Sequence, residues 1–324
     1  MRVLVCGGAG YIGAHVCCAF AEAGHEVVAL DNLSTGHRAA VRWGPLVEAD
    51  LLDRDALLRA LRHYQIEAVI HLAARSIVAE SVQDPAAYQR NNVLGSLNLL
   101  AAMREADVQR MVFSSTAAVY GNPQRLPIPE DHPKAPINPY GQTKWAVEQA
   151  LQKAALDEGL RSASLRYFNA AGAHADQAIG ESHQPETHLI PNVLRGALTA
   201  DADLRVSASA QPTRDGSCVR DYVHVRDLAH AHLLALEHLD CAPGAHAFNL
   251  GTGRGYSSLE VVHAARRVTE LEIPYEMAPP RPGDPPTLVA DPSLAGRVLG
   301  WQPVHSDLDS IISSAWDWHR KPAY

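Results

Sequence analysis

The chain has 324 residues, of which 47% are apolar and 20% charged, and its formal net charge is −8. This composition excludes a disordered or fibrous protein, and an acidic balance without a run of six like charges gives no footprint for nucleic acid. No apolar stretch approaches the ~20 residues needed to span a bilayer, and at roughly 150 residues per domain the length predicts about two domains.

The first elements read as strand, glycine turn and helix. Val3–Cys6 is a short apolar strand, and Gly7, Gly8, Gly10 and Gly13 follow it. Met1–Phe20 with Ala21-Glu22-Ala23 can imitate a secretion signal, but the glycines and His15 interrupt its apolar run. Glu26–Asp31 is a second strand, and L-V-E-A-D at 46–50 is another. Asp53 starts a helix whose apolar Ala56, Leu57, Ala60, Leu61 and Tyr64 keep the 3.6-residue period. Ala68–Ala74 and Met111–Ser115 read as strands, with a helix at Leu97–Ala106 between them. A helix over Tyr140–Leu160 and a strand over Ser162–Phe168 come next.

Repeated strand–helix units with near-continuous apolar strands predict an α/β fold, a Rossmann-type doubly wound parallel sheet covered by helices on both faces. The regularity weakens after Asn169. The expected division is 1–170 for a dinucleotide-binding domain and 171–324 for a smaller substrate domain, with segments near 219–253 returning to the sheet. Ser258–Glu270 reads as a further helix, and Gly283-Asp284-Pro285-Pro286 as a rigid loop.

Three features carry chemistry. Gly7, Gly10 and Gly13 lie between a strand and a helix, where glycines permit a tight turn and the helix N-terminus offers free N–H groups to a pyrophosphate. Asp31 ends the next strand, 18 residues past Gly13, close to the expected ~20. A carboxylate there accepts hydrogen bonds from a ribose and repels a 2′-phosphate, which favours NAD over NADP. Asp50-Leu51 suits either an adenine contact or a helix cap.

Tyr140 and Lys144 share one helix face at i and i+4. A phenol has an ordinary pKa near 10. Lowering it to about 7 needs ~4 kcal/mol, which a neighbouring ammonium and a cationic nicotinamide could jointly supply in a water-poor cleft. Tyr140 could then take a proton from a substrate hydroxyl while the same carbon is oxidised. Thr116, at the end of a strand, could hold the substrate oxygen.

With these residues in place the chain resembles the extended short-chain dehydrogenase/reductase family and, within it, the UDP-glucose (UDP-galactose) 4-epimerases. The resemblance runs from Met1 to about Trp318. Its marks are G-G-A-G-Y-I-G (7–13), L-D-N-L-S (30–34), V-I-H-L-A-A (69–74), N-N-V-x-G (91–95), F-S-S-T-A-A-V-Y-G (113–121) and N-P-Y-G-Q-T-K (138–144). L-R-Y-F-N (165–169), P-E-T-H-L-I-P (185–191), V-R-D-Y-V-H-V (219–225), N-L-G-T-G (249–253) and R-P-G-D (281–284) continue them.

The resemblance implies a tightly bound NAD, a transient 4-keto sugar that presents its other face, and inversion at the sugar's fourth carbon. Tyr140 would be the acid/base, with Lys144 lowering its pKa and Thr116 assisting. Gly7, Gly10, Tyr11, Ile12, Gly13, Asp31, Asn32, Asp50, Leu51, Leu72, Ala73, Ala74, Asn92, Ser114, Tyr140, Lys144 and Tyr167 would contact NAD. Thr116, Asn169, His188, Leu189, Arg220, Arg281 and Asp284 would hold the UDP-sugar, the arginines suiting a diphosphate.

Related dehydratases carry Asp-Glu directly after the threonine, where this chain has Ala117 and Ala118, so elimination is disfavoured. The stretch Val206–Pro212 lacks the family's aromatic for the uracil, and Ser207 stands near that place. Leu288 suggests a sugar without an N-acetyl group. The resemblance also implies a homodimer through helices around Leu97–Ala106 and Trp145–Leu156.

Other readings are a UDP-pentose (xylose/arabinose) or UDP-N-acetylhexosamine 4-epimerase, a dehydrogenase that releases NADH, and a non-catalytic NAD-binding regulator. Cys6, Cys17, Cys18, Cys218 and Cys241 form no C-x-x-C pair and read as reduced thiols of a cytoplasmic protein. With no H-E-x-x-H and no Cys/His quartet, no metal site is expected.

Overall fold

The computed structural model describes residues 1–199, 204–281 and 284–324. Pro282 and Gly283 of the 281–284 motif and of the rigid-loop expectation lie outside them. Seven parallel strands form the main sheet: β1 (Arg2–Cys6), β2 (Glu26–Asp31), β3 (Leu46–Glu48), β4 (Ala68–His71), β5 (Arg110–Thr116), β6 (Arg161–Tyr167) and β7 (Ala245–Leu250). Their order is β7-β6-β5-β4-β1-β2-β3. The order reverses between β4 and β1, and a crevice opens there at the carboxyl ends of the strands. The α/β expectation is met.

Side chains alternate across the sheet because successive residues of a strand point to opposite faces. Val3, Val5, Val27 and Ala29 pack under helix α1 (Tyr11–Glu22) and a long helix at Val225–Cys241. Leu4, Cys6, Val28 and Leu30 pack against α2 (Arg54–His63), α3 (Gly95–Glu105) and α4 (Pro139–Glu158). A third core, formed between Ala171 and Ala315, joins the helices Leu189–Thr199, Ser258–Thr269 and Leu308–Arg320.

Local chemistry sets the element ends. Asn138 caps α4 by accepting the Gly141 N–H at 2.9 Å, Pro139 occupies its first turn, and Gly159 closes it in the left-handed region at φ 72°. These are the residues a helix start and stop require. Asp53 caps α2 through Ala56 N at 2.9 Å, so Asp50 is released from capping. β4 stops at His71, three residues short of the predicted strand. The reason is Cys6: its carbonyl accepts both Leu72 N (2.8 Å) and Ala73 N (2.9 Å), and this turns 72–74 out of register.

Candidate active site

The crevice is a cleft of about 1530 Å³. Sites for a single small molecule hold about 300–1,000 Å³, so this one has room for two nucleotide-sized ligands. One end is built by the turn after β1. Gly7 sits at φ +83°, and a Cβ there would lie 2.7 Å from Ala73 N. A Cβ on Gly13 would lie 1.9 Å from Gly7 O. The turn therefore closes only with glycine at both places. Gly10 is the N-cap of α1 and no side chain caps that helix, which leaves its first N–H groups to an anion. Gly13→Ala is expected to cost about 1–3 kcal/mol by overpacking. Thermal melting and the NAD content of the purified variant check this; a variant that melts and retains NAD like the parent contradicts it.

Asp31 is 8% exposed and lines the cleft. Its Oδ2 accepts Ala9 N at 3.0 Å and its Oδ1 accepts Leu33 N at 2.8 Å. Burial raises its pKa, and these two backbone donors work against that. The carboxylate thus shapes the glycine turn and keeps lone pairs for a ribose. Asn32 Nδ2 donates to Asp50 Oδ2 at 2.8 Å, so two residues expected at the adenosine end hold each other.

The opposite wall carries the reactive groups. Thr116 ends β5 and its Oγ1 accepts Ala118 N at 3.2 Å. Lys144 is 2% exposed, and its Nζ donates to Ser114 O at 2.7 Å. Burial pushes Lys144 down to about 7, against the pull of Glu148. Burial pushes the Tyr140 phenol up to about 12, and the Thr116 hydroxyl beside it acts the other way. The expected lowering needs the ammonium and a cationic nicotinamide together, so the chain alone leaves this phenol high. The ammonium lies 6.0 Å from the centre of the Tyr140 ring and is committed to Ser114.

Lys144 makes a pH prediction. Its unfolded pKa is about 10.4 and its folded one about 7, so between these values the unfolded chain binds more protons. Stability then rises with pH through that window, by at most about 1.4 kcal/mol per pH unit from this group. Denaturant unfolding of the parent and Lys144→Met from pH 7 to 9 should show the parent gaining on the variant. A constant difference would contradict the burial argument.

All the residues expected to bind NAD line the cleft, except Asn92. Asn92 is 2% exposed and sits behind the wall. Its Nδ2 donates to Arg75 O (2.9 Å) and Thr143 Oγ1 (3.1 Å), and its Oδ1 accepts Arg75 N (2.8 Å). It ties the loop after β4 to α4, and Asn91 faces the cleft in its place. Asn169, His188, Leu189, Arg220, Arg281 and Asp284 all line the far end. There Arg220 and Asp284 form an ion pair, and Arg220 Nη1 also donates to Val219 O at 2.8 Å.

Sequence reasoning missed the Arg166–Glu148 pair and the two carboxylates that gather around His188. Arg166 and Glu148 form a buried, two-pronged ion pair, with Nε–Oε1 at 3.0 Å and Nη2–Oε2 at 2.6 Å, and Glu148 lies one helical turn beyond Lys144. Glu181, His183, Glu186 and His188 converge at the substrate end. Their spacing, E-x-H-x-x-E-x-H, matches neither H-E-x-x-H nor a Cys/His quartet.

Comparison with known proteins gives this geometry a family. A model of the NAD dependent epimerase/dehydratase family matches residues 3–251. The chain belongs to that family. A UDP-glucose 4-epimerase of Lactobacillus helveticus is 49% identical over 321 residues, covering 99% of this chain and 97% of the relative. A crystal structure of UDP-glucose 4-epimerase from Brucella ovis in complex with NAD superposes with a TM-score of 0.94 at 51% identity, covering 97% of each chain. A UDP-glucose-4-epimerase of Stenotrophomonas maltophila with bound NAD and formylated UDP-arabinopyranose gives 0.95 at 41% identity, over 99% of this chain and 98% of that one. The glycine turn, the uncapped α1 and Asp31 fit the cofactor in the family's description, since each meets one part of a dinucleotide.

Proposed function

We propose that this chain interconverts UDP-glucose and UDP-galactose by inverting the sugar's fourth carbon, with NAD retained throughout. The observation that carries this is the wall of the cleft that faces the glycine turn. Tyr140, Lys144 and Thr116 lie there, while the residues after Thr116 are Ala117 and Ala118. Alanines cannot donate a proton to a departing hydroxyl, so oxidation at carbon 4 has no elimination to follow it.

Gly7, Gly10, Asp31 and Lys144 would hold NAD, which when bound supplies the two-electron oxidation of the sugar carbon and its reversal and brings a cationic ring into the cleft. Tyr140 Oη accepts the proton of the sugar 4-hydroxyl and later returns it. Thr116 Oγ1 orients that hydroxyl. Lys144, fixed to Ser114 O, adds positive charge to the pocket and favours the tyrosinate. Arg220 and Arg281 anchor the diphosphate, which leaves the sugar free to turn. In this reading 1–170 with the segment near 219–253 serves NAD, and 171–324 serves the nucleotide sugar.

Leu288 lines the cleft and is half-buried. Its bulk supports an unsubstituted sugar over an N-acetylated one, and the pentose ligand of the Stenotrophomonas structure makes a UDP-pentose the second substrate to try. A second copy docked on α3 and α4 would cover Leu97 and Leu156, which are 43% and 88% exposed. That supports a homodimer, and the reading also carries a cytoplasmic site of action. Among the described residues no helix is long and apolar enough to cross a membrane.

The test is purified protein given UDP-galactose with no added NAD. UDP-glucose should form with no net NADH. Absence of product, or accumulation of NADH, would refute the reading.

A further inference from the structure

Glu181 and Glu186 present an electrostatic problem that the proposed reaction does not use. Their side chains are only 6% and 3% exposed, and they face the same two imidazoles. Two carboxylates taken out of water need about two positive charges in contact with them. Among the described residues, no lysine or arginine pairs with either. The compensation is therefore two imidazolium ions or one divalent cation.

His188, whose Nδ1 is hydrogen-bonded to Glu186, suits either; His183 separates them. His183 Nδ1 lies 3.2 Å from Glu181 and 3.6 Å from Glu186. His188 Nδ1 lies 2.7 Å and 3.1 Å from the same two. The four donor atoms all fall within 4.8 Å of one another. A tetrahedral ion with bonds of about 2.0–2.1 Å needs donor–donor edges of about 3.3 Å, and these separations bracket that value. His183 Nδ1 is shielded from water and makes no hydrogen bond. An imidazolium serving Glu181 would aim its N–H at a carboxylate oxygen. A ring nitrogen that is buried, close to both carboxylates and unbonded to either suits a lone pair directed at a shared ion.

We propose that Glu181, His183, Glu186 and His188 form a binding site for one divalent transition-metal ion. Two nitrogen and two carboxylate donors in a tetrahedral arrangement suit Zn²⁺. All four lie within eight residues that lead into the helix Leu189–Thr199, so the ion would clamp this segment against the cleft wall. All four line the cleft that also holds Tyr140 and Thr116, at its substrate end.

The probe is Co²⁺, whose visible absorption reports tetrahedral coordination, titrated into chelator-treated full-length protein. The parent should take up one equivalent with tetrahedral bands that Zn²⁺ abolishes. Loss of even an outer partner of a metal ligand costs about 10–100-fold in affinity, so His183→Gln and Glu186→Gln should each weaken this binding by at least about tenfold. Circular dichroism of the metal-free variants establishes that they are folded. Should either be unfolded, the parent's Zn²⁺-induced rise in melting temperature, present at pH 7.5 and abolished by chelator, decides instead. Flat spectra for the parent, uptake unchanged in folded variants, or a parent melting temperature indifferent to Zn²⁺ would overturn the site and leave a pair of imidazolium–carboxylate contacts. Epimerisation of UDP-galactose is measured separately, so a failure here and a failure of the proposed function are told apart.

Discussion

Tyr140→Phe is expected to slow conversion of UDP-galactose by about 10²–10⁴-fold, the usual contribution of a positioned acid/base. Phenylalanine keeps the ring and removes only the oxygen. Asn138 and Pro139 still start the helix, and Lys144 keeps its bond to Ser114 O, so the variant should purify with as much NAD as the parent. The loss should fall on kcat, because the phenol acts as the carbon is oxidised and adds little to ground-state binding. Initial rates, with NAD content measured on the same sample, check both parts. A variant as fast as the parent would remove Tyr140 from the acid/base role. One that is slow because it is empty of NAD would make Tyr140 a cofactor-binding residue.

Glu148→Ala is the second large effect, and it bears on stability. Arg166 is 3% exposed and gives both Nε and Nη2 to Glu148. Without that carboxylate the guanidinium keeps only neutral acceptors, Tyr120 Oη at 2.8 Å and Glu130 O at 3.2 Å. Breaking a buried pair on one side costs about 3–5 kcal/mol, while replacing both partners by apolar residues of similar size is often near neutral. Denaturant unfolding of Glu148→Ala and of the double variant Glu148→Leu, Arg166→Met should therefore differ sharply. Equal losses would mean that the pair contributes through packing alone. Glu148 also raises the pKa of Lys144, four residues earlier on α4. Glu148→Gln should then let Lys144 lose its proton at lower pH, which the pH profile of conversion would display as an acid shift.

The parts of the site that are local in the chain were legible. A strand, a glycine turn and a helix state their geometry within a dozen residues, and Asp31 follows at a fixed distance because one helix and one strand intervene. Tyr140 and Lys144 were legible for the same reason: four residues on a helix define one face. What escaped was non-local. Arg166 and Glu148 sit on different elements, and nothing in either neighbourhood marks a partner. Asn92 was assigned to NAD because its motif was read as a contact; its side chain is instead spent on Arg75 and Thr143. The end of β4 depended on one carbonyl, that of Cys6, accepting two N–H groups, and the apolar run gave no sign of it. The burial that raises the Tyr140 pKa in the chain alone was illegible for the same reason, since it comes from residues far apart in sequence.

The central claim is that the hydrogen removed from carbon 4 returns to it inside a closed site. UDP-galactose deuterated at carbon 4, converted in ordinary water and analysed by mass spectrometry, tests this most directly. The account predicts UDP-glucose that keeps the deuterium at carbon 4. Product that has exchanged it for solvent hydrogen would contradict the account.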